Sequence, residues 1–238
     1  MSFAPVLHAE WIKIRTLRSL LGALAAILVA TAAFSALASA DADGGDTDPL
    51  FSVFFGISFG QVAAIAFGTA AVSCEFRGGA LRLTLSAVPD RGRWFAVKAT
   101  AIALPVLAVG LLTGFVTLLV GRAVLGGSAP GWSEGVRAAV GCGLHLTLMA
   151  LFAAGLAAVL RSGIVTLSVL IPFLLIVSFV VGDLSGGVAD FLPDRAGQVA
   201  LHSHGDGMLG PWSGLAVTAL WAAAALFAGA WSLRRRDA

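Results

Sequence analysis

Apolar residues run through this chain in long unbroken stretches, without the alternation of a half-buried strand or the stripe of a soluble amphipathic helix. Six stretches stand out, at about 19–40, 50–73, 95–121, 138–160, 163–182 and 212–233. Each has roughly the 20 residues that a helix needs to cross the hydrocarbon core of a bilayer. Continuity of the apolar residues selects helices over barrel strands, in which lipid-facing and lumen-facing positions alternate. The pattern predicts an all-α polytopic membrane protein with six transmembrane helices, forming a single transmembrane domain over residues 1–238. Pro105 and Pro172 fall inside two of the spans and predict kinks there.

Two segments outside the spans are amphipathic. Phe3, Leu7, Trp11 and Ile14 share a helical face ahead of the first span, with Lys13 and Arg15 off that face and Arg18 on it. This predicts an elbow helix over 3–18 lying in the membrane interface. Residues 74–94, "CEFRGGALRLTLSAVPDRGRW", join the second and third spans and carry Glu75, Arg77, Arg82, Asp90, Arg91 and Arg93. Leu81, Leu85 and Val88 recur at i, i+4 and i+7, so they fall on one face of a short helix. Gly78 and Gly79 loosen its entry and Pro89 closes it. Such a helix either lies on the lipid surface or offers a knob to a cytoplasmic partner, and the pattern leaves both open. The charged start and small residues of the first span imitate a cleavable signal, but its apolar run exceeds the 7 to 15 residues or so of a signal core, so a retained anchor is expected.

Composition agrees with the pattern: 58% of residues are hydrophobic, 12% are charged and mean hydropathy is +0.94. Six spans with short links leave no room for a sizeable water-soluble domain. Charge then supplies orientation, because cytoplasmic connections hold the excess of Lys and Arg. With both termini in the cytoplasm, 12 of the 15 basic residues lie inside and only Arg122, Arg137 and Arg195 lie outside. The overall net charge of +2 therefore hides a strong polarity. It speaks for contact with the lipid bilayer and its anionic headgroups and not for a nucleic-acid partner, which requires a folded basic surface. Trp11, Trp94, Trp132, Trp212 and Trp231 are expected at the membrane–water boundaries.

Candidate chemistry is sparse. Gly56-Ile57-Ser58-Phe59-Gly60 matches G-x-S-x-G, and His145 lies inside the fourth span, so a serine–histidine dyad of an intramembrane hydrolase is one reading. The motif needs a strand-turn-helix context, however, and within an apolar helix Gly56 and Gly60 make a G-x-x-x-G packing face, as do Gly110 and Gly114. Cys74 and Cys142 are placed near opposite membrane faces, which predicts free thiols. Asp41, Asp43, Asp46 and Asp48 lack the spacing of a calcium loop and read as a solvated acidic loop. His202, His204 and Asp206 form a weak candidate metal set, and no metal or cofactor is assigned to the chain. No G-x-x-x-x-G-K-[ST] phosphate cradle occurs, so any work of ATP belongs to a partner. An ATP-independent secondary transporter is the other alternative, weakened by the near absence of ionisable residues in the span interiors.

"EWIKIRTLRS" ahead of the first span and "CEFRGGALRLTLSAVPDRGRWFAVK" after the second resemble the type-2 family of ATP-binding-cassette (ABC) exporter permeases. The resemblance implies that Glu75, Arg77, Gly78, Leu85, Pro89, Arg91 and Lys98 belong to a loop that docks on an ATPase, with Leu81 and Val88 completing its apolar face. It also implies a plasma-membrane exporter without an active site of its own. Two cytoplasmic ATPase subunits would bind ATP and Mg, and a second permease copy would complete a homodimer or heterodimer.

Overall fold

The computed structural model describes residues 3–41, 48–77, 80–87, 90–174, 186–203 and 208–235. Among these residues the regular structure is helical. The helices are α1 (Phe3–Thr16), α2 (Arg18–Asp41), α3 (Pro49–Phe54), α4 (Ile57–Ser73), α5 (Ala80–Ala87), α6 (Arg91–Leu125), α7 (Trp132–Leu160), α8 (Gly163–Pro172), α9 (Pro193–Gln198) and α10 (Pro211–Arg235). Short 3-10 turns at Cys74–Phe76, Gly126–Ser128, Gly186–Phe191 and Val199–Leu201 complete the chain path. Five segments are long and apolar enough to cross a membrane: α2, α3 with α4, α6, α7 and α10. The molecule is thus a multi-pass membrane protein of helical type. Of the fifth expected span, 163–182, the ten residues of α8 and the two after it are described and 175–182 are not.

Local chemistry explains where the helices start and stop. Asp90 caps α6 by accepting hydrogen bonds from the N–H groups of Gly92 (3.0 Å) and Arg93 (3.1 Å), so Arg91, Arg93 and Trp94 belong to this helix and not to a free loop. The helix runs through Pro105 without interruption over 35 residues. Asp48 caps α3 through the Leu50 N–H (3.0 Å), with Pro49 in the first turn where its missing N–H costs nothing. The second span, expected as one piece, is broken at Phe55 and Gly56. At the break the Gly56 N–H is satisfied by Ser35 Oγ of α2 (2.9 Å), which is how irregular backbone survives in an apolar setting.

Small residues let the helices approach closely. A Cβ on Gly56 or Gly60 would collide with Thr31 of α2, and one on Gly110 or Gly114 would meet Gly143 or Ala139 of α7. Helix α7 is the hub: it packs on α4, α6, α8, α9 and α10, and 67% of its apolar window is buried. The flanking α2 and α10 bury only 22% and 33% of theirs, so broad apolar faces with Leu37, Leu220 and Phe227 remain open. Helices α4, α7 and α10 run one way and α2 and α6 the other, as the paired contacts Gly56–Ser35 with Gly60–Ile27, Gln61–His145 with Gly68–Ala150, Gly110–Gly143 with Gly114–Ala139, and Gly155–Ala225 with Ala158–Gly229 require. Trp94, expected at a water boundary, is instead fully buried in the core near the start of α6.

Candidate functional site

Where α1, α4 and α6 meet, four charged side chains close a ring. Lys98 Nζ of α6 lies 2.5 Å from Glu10 Oε2 and 2.7 Å from Glu75 Oε1. Lys13 Nζ lies 2.8 Å from the same Glu75 oxygen and 3.0 Å from Glu10 Oε1. The signs alternate, so each carboxylate touches two ammonium groups and the ring is neutral. Thr84 of α5 adds a hydrogen bond from its hydroxyl to Glu75 Oε2 (3.3 Å), which ties the short loop helix to the same centre. Three of the four side chains are nearly dry, at 4%, 3% and 4% exposed for Glu10, Glu75 and Lys98, whereas Lys13 reaches solvent at 38%.

Neutrality and complete pairing are what make such burial tolerable. Isolated charges of this kind would each cost several kcal/mol to desolvate, and removing one partner leaves that cost uncompensated. Partial burial opposes the charge of Lys13, but its hydrogen bond to Glu75 and the field of Glu10 outweigh this and hold its pKa above the ordinary lysine value. The ring has beside it a space of about 10 Å³, too small to admit a substrate. What it can do is mechanical. It fastens the N-terminal helix, the end of α4, the loop helix and the start of α6 to one another.

The other residues of the expected docking segment distribute as follows. Arg77 is exposed. Arg91 Nη1 donates to the Leu233 carbonyl (2.8 Å), clamping the end of α10 to the start of α6. Leu81, expected on a face offered to a partner, is 6% exposed and packs into this chain's own core. The helix containing Leu85 is described but not that side chain, and Gly78, Val88 and Pro89 lie outside the described residues. On α1 the apolar face also differs from expectation. Ile14 is buried beside Glu10 and Leu7 is half-buried, but Trp11 points outward at 41% exposed, bordering an apolar groove of about 310 Å³ against α6. The backbone of Phe3 begins α1, and its side chain is outside the description. Glu10 and Lys13 were not singled out from the sequence. The available signal was their spacing of three, which puts both on one helical face inside "EWIKIR".

At the opposite end of the bundle the polar residues of the second and fourth spans meet differently from a catalytic dyad. His145 is fully buried, its Nε2 is 3.1 Å from Gln61 Oε1, and its Nδ1 has no hydrogen-bonding partner. No hydrogen bond joins it to Ser58, which faces an open recess. Asp48, expected in a solvated loop, instead binds the Ser203 N–H (2.8 Å) and hydroxyl (2.7 Å). Burial works against its charge, but these bonds, the Leu50 N–H and nearby His202 prevail and hold its carboxyl below the ordinary aspartate range. Asp41 ends α2, exposed, while Asp43 and Asp46 are outside the described residues. His202 stacks on Phe51 at 4.6 Å, and its candidate metal partners His204 and Asp206 are likewise outside. Among the described residues no three His, Cys, Asp or Glu side chains gather to hold a metal, and Cys74 and Cys142 are free. Comparison of the sequence with protein-family models and with curated proteins gives no match.

Proposed function

We propose that this chain is the membrane-spanning permease subunit of an ABC-type exporter in the plasma membrane, paired with a second permease copy and driven by two cytoplasmic ATPase subunits that bind ATP and Mg. The observation that carries the reading is the buried ring of Glu10, Lys13, Glu75 and Lys98. A segment that receives force from a partner must be fastened to the helices it moves, and the ring fastens residues 75–84 to the N-terminal elbow and to α6. The clamp from Arg91 to Leu233 extends the same attachment to α10. Six crossings with both termini inside are supported by the chain path. Gly163 lies against Ser73 at the ring end, Ser203 binds Asp48 at the other, and the chain between must pass from one to the other.

In this mechanism ATP closes the ATPase pair, the motion enters at the loop between α4 and α6, and the ring with the Arg91 clamp carries it as a unit to α4, α6 and α10. The open apolar faces of α2 and α10 provide surface for lipid and for the second copy. Arg77, exposed beside the ring, is the group placed to meet the ATPase. Co-expression with the ABC ATPase encoded nearest its gene tests this. The wild-type chain should purify with the ATPase and stimulate ATP hydrolysis, and Arg77→Glu should lose most of both at unchanged membrane level. Failure of the wild type to retain that ATPase would overturn the reading.

A further inference from the structure

The end of the bundle opposite the ion ring contains an open recess of about 530 Å³, a volume within the range of roughly 300–1,000 Å³ that small-molecule sites occupy. Phe51 and Phe55 form one wall, set edge to face at 5.9 Å and 89°. Asp190, Asp194 and Arg195 bring charge to the lining, two negative against one positive. Among the described residues the Asp190 carboxylate, half-buried at the rim, has no hydrogen-bonded or ionic partner. We propose that this recess binds an amphiphilic organic cation, with its apolar body on the phenylalanine wall and its charge toward Asp190 and Asp194.

Three features favour this ligand chemistry. The local excess of carboxylate repels anions and attracts cations, and the recess is walled by low-dielectric groups that screen this little. Aromatic faces add attraction for a cation within about 6 Å of the ring centre. The third is the floor. Gln61 is only 2% exposed, and its Oε1 receives His145 Nε2 at 3.1 Å and Gln198 Nε2 at 3.4 Å. Gln61 lines the recess, and its amide nitrogen makes no hydrogen bond with the described residues. This floor is closely packed: Gly197 fits against His145 and Thr218 with no room for a Cβ.

The site is independent of the ATPase reading, so the test uses the purified full chain alone in lipid nanodiscs. Tetraphenylphosphonium and tetraphenylborate have the same shape and opposite charge, and equilibrium dialysis against empty nanodiscs removes their partition into lipid. The cation should bind saturably at one site per chain, and the anion should not. Asp190→Asn should weaken cation binding by about two- to fivefold, as loss of a partly solvated ion contact does. Phe55→Ala should weaken it as well. Asp190→Lys should reverse the preference toward the borate, and thermal unfolding of each variant verifies that it is folded. Equal binding of both ions, absence of saturation for the cation, or a preference unchanged in folded Asp190→Lys would each overturn the proposal.

Discussion

At the scale of single residues, Lys98 carries the heaviest consequence. It holds two carboxylates, and its side chain is 4% exposed. Lys98→Met should destabilise the protein by about 3–5 kcal/mol, because Glu10 and Glu75 are then left facing each other with Lys13 alone between them. Scanning calorimetry in detergent measures the loss, and adding Glu75→Gln to Lys98→Met should recover part of it, because Glu10 and Lys13 then remain as a neutral pair. Lys13 gives a pH signature. Its raised pKa means that its contribution is complete below the ordinary value of 10.5 and fades as pH rises through the higher folded value. Asp48 behaves in the opposite sense: its contribution is complete above 3.8 and is lost as pH falls through its lowered folded value. Asp48→Asn should therefore flatten the acid limb of the stability profile. Glu75 and Lys98 were legible from the sequence because a resemblance pointed at them. Glu10 and Lys13 were not, since charge on a short helix ordinarily reads as a solvated face, and nothing local reveals that its partners arrive from far along the chain.

At the scale of elements, the apolar runs marked five long helical segments well, and their ends moved where capping groups intervened. Asp90 drew the start of α6 four residues ahead of the apolar run, and Gly56 divided the second span, because both effects depend on hydrogen bonds that hydropathy does not register. The packing glycines give a direct contrast. Ser58→Ala should leave assembly nearly intact, whereas Gly60→Val should force α4 away from Thr31 and lower the yield of folded protein. Fluorescence-detected gel filtration of membranes expressing each variant reads this, and loss of function in well-assembled Ser58→Ala would reopen the hydrolase alternative. For α5, hydrophobic spacing identified a face, but burial assigned Leu81 to the chain's own core. Leu81→Asp should consequently destabilise the fold of this chain itself.

For the whole molecule, the partition of Lys and Arg carries the orientation. In a background with Cys74→Ala and Cys142→Ala, a cysteine at exposed Glu134 or Met208 should react with an impermeant maleimide in intact cells, and one at Arg77 only after lysis. Labelling of the Arg77 site from outside would sink the cytoplasmic assignment of the loop. The ring adds a constraint in time as well as in space. Glu10 and Lys13 leave the ribosome first, while Glu75 follows Lys13 by 62 residues and Lys98 follows Glu10 by 88. Until Lys98 is synthesised, two carboxylates share one ammonium, and burying them would leave net charge in an apolar seat. Nascent chains stalled at residue 90 should thus leave an Ile14→Cys thiol open to a maleimide, and chains carrying all of α6 clear of the ribosome should protect it. By this logic α1, made before α6, is seated only after α6 has arrived.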